Sequence, residues 1–297
     1  MGRGKRGHSR RGNAQIREVW SRNFDLELAN LNDCLNLYPI LTIDTEFPGF
    51  IRSTPWGAIE EKLYDDFRFN VNRTKLIQLG LTASDEIGNI GSTWEFNFSD
   101  FDPQIDTHNA SSVSFLKQNG LDFDKLKEFG IPINEFTSKA FFLFRKHRIV
   151  RWVTFHGLYD IGYLLKAMGV AGEIPESMEE FAELVERALG NVSDLKHMAQ
   201  FCEGLEDGKL GLEKLAQLMN QKRFGNKHHA GSDSLLTASL YAKMKNQFEL
   251  GSEVCDGFLY GLRIKLHAKI KLYQNLMFGQ IPYGLRACYP PCYIAYY

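Results

Sequence analysis

A chain of 297 residues with 44% hydrophobic content is long enough for one large core, and the absence of any internal period excludes a repeat array. Its formal net charge of −1 carries no global signature of a nucleic-acid binder, so local charge must decide. Five cysteines (Cys34, Cys202, Cys255, Cys288 and Cys292) lack paired Cys-x-x-Cys spacing, which argues against a disulfide framework and a structural zinc site and for a reducing compartment.

The first segment, Met1 to Arg11, is basic and glycine-rich, without the apolar run of a secretory signal. Arg6 argues against myristoylation of Gly2. Residues 1–15 are expected to form a basic disordered tail, and with no later stretch of membrane-spanning length a soluble protein is expected. Ile16 to Cys34 then carries apolar residues near helical spacing (Val19, Trp20, Phe24, Leu26, Leu28, Leu31), and an apolar strand follows to Asp44. Thr74–Thr82 and Ser92–Phe98 read as two strands of a hairpin around the turn-rich Ser84–Gly91. Asp100–Thr137 suggests short helices, with another helix near Lys139–His147. Val150–Phe155 is a further strand leading into a helix at Asp160, whose buried side holds Ile161, Leu164, Leu165 and Met168. A helix over Glu176–Ala188, a fifth short strand at Asn191–Asp194, a helix through Leu212–Met219 and a long helix over Gly231–Phe248 complete the alternation, with helix continuing to about Gln274. The pattern is α/β with a mixed sheet.

Four carboxylates fall where such folds place their active sites. Alternation along a strand puts Ile40, Thr42, Asp44 and Glu46 on one face and Leu41, Ile43, Thr45 and Phe47 on the other, so Asp44 and Glu46 converge at a strand end. Two anions a few ångströms apart repel by about 1 kcal/mol even in water and by several times that in a cleft. A divalent cation is the natural compensation. Asp160 opens a helix and Asp233 lies in the first turn of another; each also has a plain explanation, as a cap or as a charge at the positive end of a helix dipole. In His228-His229-Ala230-Gly231-Ser232-Asp233, a histidine precedes an acid by five residues across a loop into a helix.

Asp-x-Glu, a middle Asp and His-x-Ala-x-x-Asp together resemble the DEDD exonucleases with a histidine base, whose fold is that of ribonuclease H. Within that superfamily, Asp44–Gly49, Lys75–Leu81, Phe155–Leu164 and His228–Thr237 resemble the Caf/Pop deadenylases, the nuclease subunits of the Ccr-Not complex. The resemblance runs from about Ile16 to Leu262. It implies an α/β, ribonuclease H-like mixed β-sheet flanked by α-helices, with Asp44, Glu46, Asp160 and Asp233 as metal ligands and His228 accepting the proton of the attacking water. Asp44 would bridge two ions, Glu46 and Asp233 would complete the water-activating site, and Asp160 would face the leaving group. Two divalent ions provide what in-line hydrolysis of a phosphodiester requires, and hard oxygen ligands point to Mg²⁺ or Mn²⁺ rather than zinc. An ordinary imidazole, with a pKa of ~6.5, suits the proton acceptor.

The reading drawn from this resemblance is a poly(A)-specific 3′ to 5′ exoribonuclease releasing 5′-AMP. It would act on single-stranded poly(A) RNA beside the Ccr-Not scaffold and a second deadenylase subunit, in nucleus and cytoplasm, with no membrane partner. The expected organisation is a tail (1–15), an exonuclease domain (16–262) and a C-terminal helical extension and tail (263–297). A less specific exonuclease on RNA or DNA ends and a weakly active adaptor-binding module are the alternatives. His156 and His229 are read as structural or substrate-contacting, Phe47 as core, and Asp194 as a helix cap or a support for the cleft. Gly157-Leu158 departs from the small polar and glycine pair expected in the family.

Overall fold

The computed structural model describes residues 16–55, 57–147, 149–251 and 255–262. Its strands are β1 (Ile16–Val19), β2 (Ile40–Glu46), β3 (Gln78–Ser84), β4 (Ile90–Asn97), β5 (Arg151–Thr154) and β6 (Val192–Asp194). Between them run α1 (Phe24–Leu35), α2 (Glu60–Arg73), α3 (Ala110–Gln118), α4 (Phe123–Phe129), α5 (Ile133–Lys146), α6 (Leu158–Ala167) and α7 (Met178–Leu189). The short α8 (Leu195–Met198), α9 (Leu212–Leu218) and the long α10 (Ala230–Phe248) follow. The strands form one sheet in the order β1-β4-β3-β2-β5-β6. β3 is antiparallel to both β2 and β4, while β1 with β4, β2 with β5, and β5 with β6 are parallel. This is the mixed, ribonuclease H-like sheet expected from the motifs.

Period-two alternation divides the core between the two faces. Leu41, Ile43, Leu79, Leu81 and Phe96 join α1, α2, α5, α6 and α7 in the larger cluster, whereas Ile40 and Val153 pack with α8, α9 and α10 on the other side. Phe67, Phe96, Phe136 and Phe181 are wholly buried in the first cluster. Each such side chain contributes roughly 1.5–3 kcal/mol on burial, which makes this face the main source of rigidity behind β2. No helix among the described residues is long and apolar enough to cross a membrane.

Several boundaries differ from the sequence reading. Ile16–Val19 is not the start of a helix but an edge strand paired with β4, with Ile16 opposite Thr93 and Val19 opposite Phe96; α1 begins only at Phe24. Four residues with two charges carry no strand signal of their own, and the pairing is set by β4. Thr74–Ile77 precede β3 because Thr74 ends α2. α5 starts at Ile133, six positions before the expected Lys139, and α6 starts at Leu158, so Asp160 lies inside the first turn rather than capping it. α10 stops at Phe248, where Glu249 takes a left-handed conformation with φ of 49°, so the helix does not run on unbroken, and its expected course from residue 263 to about Gln274 lies outside the described residues. Phe258 then bridges Ser193 of β6, and residues 263–297, like 1–15, lie outside the described residues. Cys34, Cys202 and Cys255 are free; Cys288 and Cys292 also lie outside.

The placement of α10 depends on a glycine. Across the sheet, Asp44, Gly80 and Glu95 stand in register, and the first turn of α10 lies directly over Gly80. A Cβ at Gly80 would sit 1.9 Å from the Ala230 carbonyl oxygen, and one at Gly231 would sit 2.9 Å from Glu95 Cβ. Backbone cannot yield as a flexible side chain can. Gly80→Ala should therefore lower stability by about 1–3 kcal/mol, the usual cost of overpacking, and lift Asp233 away from Asp44. Gly172→Ala, whose added Cβ meets nothing, should change little. Urea denaturation of the two variants checks the contrast; equal effects would show that the close approach is not needed.

Candidate active site and metal centre

Two layers converge on the end of β2. From the α10 side, Asp233 joins Asp44 and Glu46, and one carboxylate oxygen from each lies within 4.8 Å of the other two. From the opposite side, Asp160 in the first turn of α6 receives the hydroxyl of Thr45, whose Oγ1 donates to Asp160 Oδ1 at 2.5 Å. Thr45 is the residue between the two strand acids, so alternation aims it at the other layer. The structure thus brings Asp44, Glu46 and Asp233 into one group, and holds Asp160 beside that group on the Thr45 hydroxyl. Among the described residues this is the only cluster of three or more His, Cys, Asp or Glu side chains spaced to hold a metal ion.

The electrostatics are those of crowded anions. Burial, then Asp233, Asp160 and Glu46, raise the Asp44 pKa well above the usual carboxylate range. Burial and the Asp233 charge push Glu46 up to about 8. Burial raises Asp160 to about 7, with the Thr45 hydroxyl pulling the other way. A low-dielectric cleft that stabilises its acids so poorly as anions favours a positive charge among them. An all-oxygen donor set suits a hard divalent cation, so the residues present fit Mg²⁺ or Mn²⁺.

One cation is already built in. Arg223, mostly buried, donates through its Nη1 to Asp233 and to Ser232 Oγ (3.0 Å), while its Nε donates to Glu213 Oε2 at 3.1 Å. It was not legible in the sequence, because a loop arginine ten positions before its partner follows no local periodicity. The helix that carries Asp233 is anchored by the sheet rather than by its own cap: Gly231 N donates to Glu95 Oε2 at 3.0 Å and Ala230 N to Gln78 Oε1 at 3.4 Å, while His229 supplies no capping bond.

His228 takes a left-handed φ of 60° and turns its ring edge-to-face against Phe115, with centroids 4.6 Å apart. Burial lowers its pKa, against the pull of Asp233, so it is neutral and able to accept a proton near pH 7. His229 plays a different part. Its Nε2 donates to the Asn119 carbonyl at 3.0 Å and Nδ1 faces Glu95 Oε1 at 3.7 Å, and the Glu95 carboxylate raises its pKa. Phe47 stacks on Tyr163 and Tyr159 at 4.9 and 5.4 Å, a packing role as expected.

Asp194 combines both functions weighed for it. It caps α8 through Lys196 N and also accepts from His156 N, both at 2.9 Å, and from Gly157 N and Tyr260 N, both at 3.0 Å. One buried carboxylate thereby ties the turn that launches α6, and with it Asp160, to β6 and to the segment after α10. His156 faces Tyr260 edge-to-face at 5.1 Å, and burial lowers its pKa to about 4, as befits a structural residue. The departure at Gly157 has a steric reason: a Cβ there would sit 2.2 Å from the Thr154 side chain.

The sheet order and flanking helices define a ribonuclease H-like protein. Residues 19–148 match the family of CAF1 family ribonucleases. The chain is 50% identical over 222 residues to CCR4-associated factor 1 homolog 8 of Arabidopsis thaliana, covering 74% of this chain and 91% of that protein. It is 34% identical over 246 residues to the poly(A) ribonuclease pop2 of Schizosaccharomyces pombe, covering 80% of this chain and 71% of pop2. The solved S. pombe Pop2p, in a form with Mg²⁺ and Mn²⁺ bound, superposes with a TM-score of 0.75 at 33% identity, over 83% of this chain and 99% of that one. A structure of the yeast NOT1 MIF4G domain co-crystallised with CAF1 gives 0.69 at 26% identity, over 83% and 96%. The chain belongs to the CAF1 family of ribonucleases, the Caf1/Pop2 deadenylase family.

The raised carboxylates set a pH dependence. A carboxyl whose folded pKa lies above its unfolded value of ~4 holds its proton in the native state across that interval, so stability falls as the pH climbs through it. His156 and His228, held neutral, act in the opposite sense below ~6.5, which leaves about 6.5 to about 8 as the window in which they no longer oppose the fall and His229, raised by Glu95, adds to it. In chelator the melting temperature should fall across that window, and Mn²⁺ should offset the fall because it binds the ionised acids. A chelated melting temperature that rises there would contradict the charge crowding. Asp194→Ala should cost about 3 kcal/mol in urea denaturation by stranding buried N–H donors, and should reduce the Mn²⁺-induced shift through Asp160. A near-neutral result would show that water replaces the carboxylate.

Proposed function

We propose that this chain is a poly(A)-specific 3′ to 5′ exoribonuclease that shortens messenger RNA tails and releases 5′-AMP, with residues 16–262 as its catalytic unit. The observation that carries this reading is the convergence of Asp44, Glu46 and Asp233 within 4.8 Å at a strand end, in a chain of the CAF1 family. Asp44, Glu46, Asp160 and Asp233 would hold divalent ions, which when bound neutralise charge on the phosphoryl centre and lower the pKa of water. His228 accepts the proton of the attacking water, a role suited to an imidazole whose surroundings keep it neutral. Arg223 fixes the orientation of Asp233 through its second anchor, Glu213.

Single-stranded RNA is a physically reasonable substrate because a free 3′ end can enter a cleft that a duplex cannot, and 2′-hydroxyl contacts distinguish it from DNA. The preference for adenosine is supported by the poly(A) ribonuclease of S. pombe, and Mg²⁺ or Mn²⁺ by the ions in the Pop2p structure. Assembly into a Ccr-Not complex is supported by the yeast NOT1 structure and by the names of the Arabidopsis relatives. Action in both nucleus and cytoplasm belongs to the same proposal.

The test is degradation of a 5′-labelled RNA with a 3′ oligo(A) tail in Mg²⁺ or Mn²⁺. A ladder shortening from the 3′ end and slowing at the tail boundary is expected. Chelator or Asp44→Ala should abolish it, and His228→Ala should slow it by about 10²–10⁴-fold, the usual contribution of a general base. Equal digestion of RNA and DNA ends of any sequence would replace the poly(A) reading with a general exonuclease. A folded protein that gains stability from Mn²⁺ yet cuts nothing would replace it with an adaptor module.

A further inference from the structure

α3 is fastened at both ends to segments that carry residues of the site. At its start, Asn109 donates through its backbone N to the Pro48 carbonyl (2.9 Å) and through Nδ2 to the Phe50 carbonyl (3.1 Å), on the loop that leaves β2 just after Glu46. Ser112 lies so near Gly49 that a Cβ there would sit 2.1 Å from its hydroxyl oxygen. At its far end, the Asn119 carbonyl accepts from His229. The helix therefore bridges the segment bearing Glu46 and the segment bearing His228.

Phe115 lies between those anchor points, on the same helix face as Ser112 and Asn119 by the spacing of three and four residues. Its ring meets His228, yet the residue is 45% exposed. Val113 and Leu116, 5% and 4% exposed, already hold the helix in the core, so Phe115 is not spent on that task. An aromatic ring on a helix fastened at both ends, touching the His228 imidazole and still open to solvent, is free to receive the base of a nucleotide bound at the neighbouring site.

We propose that Phe115 is a stacking platform for one of the two nucleobases flanking the scissile phosphodiester, an inference that rests on the nuclease reading above. Stacking tolerates every base but rewards a large π surface, so the platform favours purine over pyrimidine at the 3′ end. It contributes to adenosine preference without reading a hydrogen-bonding edge.

The test is a cycle of kcat/KM values in Mg²⁺. Wild type, Phe115→Leu and Phe115→Tyr are each given RNAs with adenine or an abasic ribose at the terminal or the penultimate position. Leucine retains the apolar packing on His228 without the π surface, and tyrosine restores the ring. In wild type, the abasic site at one position should lower the value roughly 10- to 100-fold, within the range of base–aromatic stacking. Phe115→Leu should lower the intact RNA by a similar factor and show little further loss on the abasic one, while Phe115→Tyr should stay close to wild type. Losses that multiply independently at both positions, or a Leu variant that treats every RNA as wild type does, would overturn the platform while leaving the nuclease in place. A wild type that cuts none of the RNAs would overturn both.

Discussion

Mutual repulsion among Asp44, Glu46, Asp160 and Asp233 is the constraint around which this molecule is arranged. Burial removes the solvent that would screen these acids, and the pKa values of the first three rise as a result. Such a group persists only if rigid structure forces it together and if positive charge compensates it. The protein does both. The sheet and the larger apolar cluster provide the rigidity, while Arg223 lends one cation to Asp233 and the all-oxygen geometry accommodates a divalent ion.

The acids arrive from two sides of the sheet, and each arrival has its own device. On the α10 side, Gly80 permits a helix end to rest on the strand opposite Asp44, and Glu95 and Gln78 satisfy its first N–H groups. On the α6 side, Asp194 gathers four backbone donors and thereby sets the turn from which Asp160 emerges. Thr45 links the two, since it lies between Asp44 and Glu46 in sequence but points to the opposite face, where it meets Asp160. Polar groups in this region work as fasteners for charges whose positions the chemistry requires.

Much of this was legible beforehand. Strand alternation placed Asp44 and Glu46 on one face, and the order of acidic and histidine motifs resembled the family that the comparisons then identified. The less legible parts were those in which distant segments define each other. β1 has no signal in Ile16–Val19 because an edge strand of four residues takes its conformation from β4. The ends of α5 and α6 moved because helix starts depend on which N–H groups find partners, and those partners lie elsewhere in the chain. Arg223 and Phe115 were missed because each stands in an otherwise unremarkable stretch.

The sequence by itself determined the chemistry available: which residues can bind a hard cation or accept a proton, and the alternation that sets two acids side by side. These are local properties, carried by residue type and by the two-residue period of a strand. Only the tertiary structure decided that Asp233 meets the strand acids, that Asp160 is held on a threonine from the opposite face, and that Phe115 touches His228. Those contacts join residues each separated by more than a hundred positions, and short-range periodicity carries no information about which distant surfaces will close upon each other.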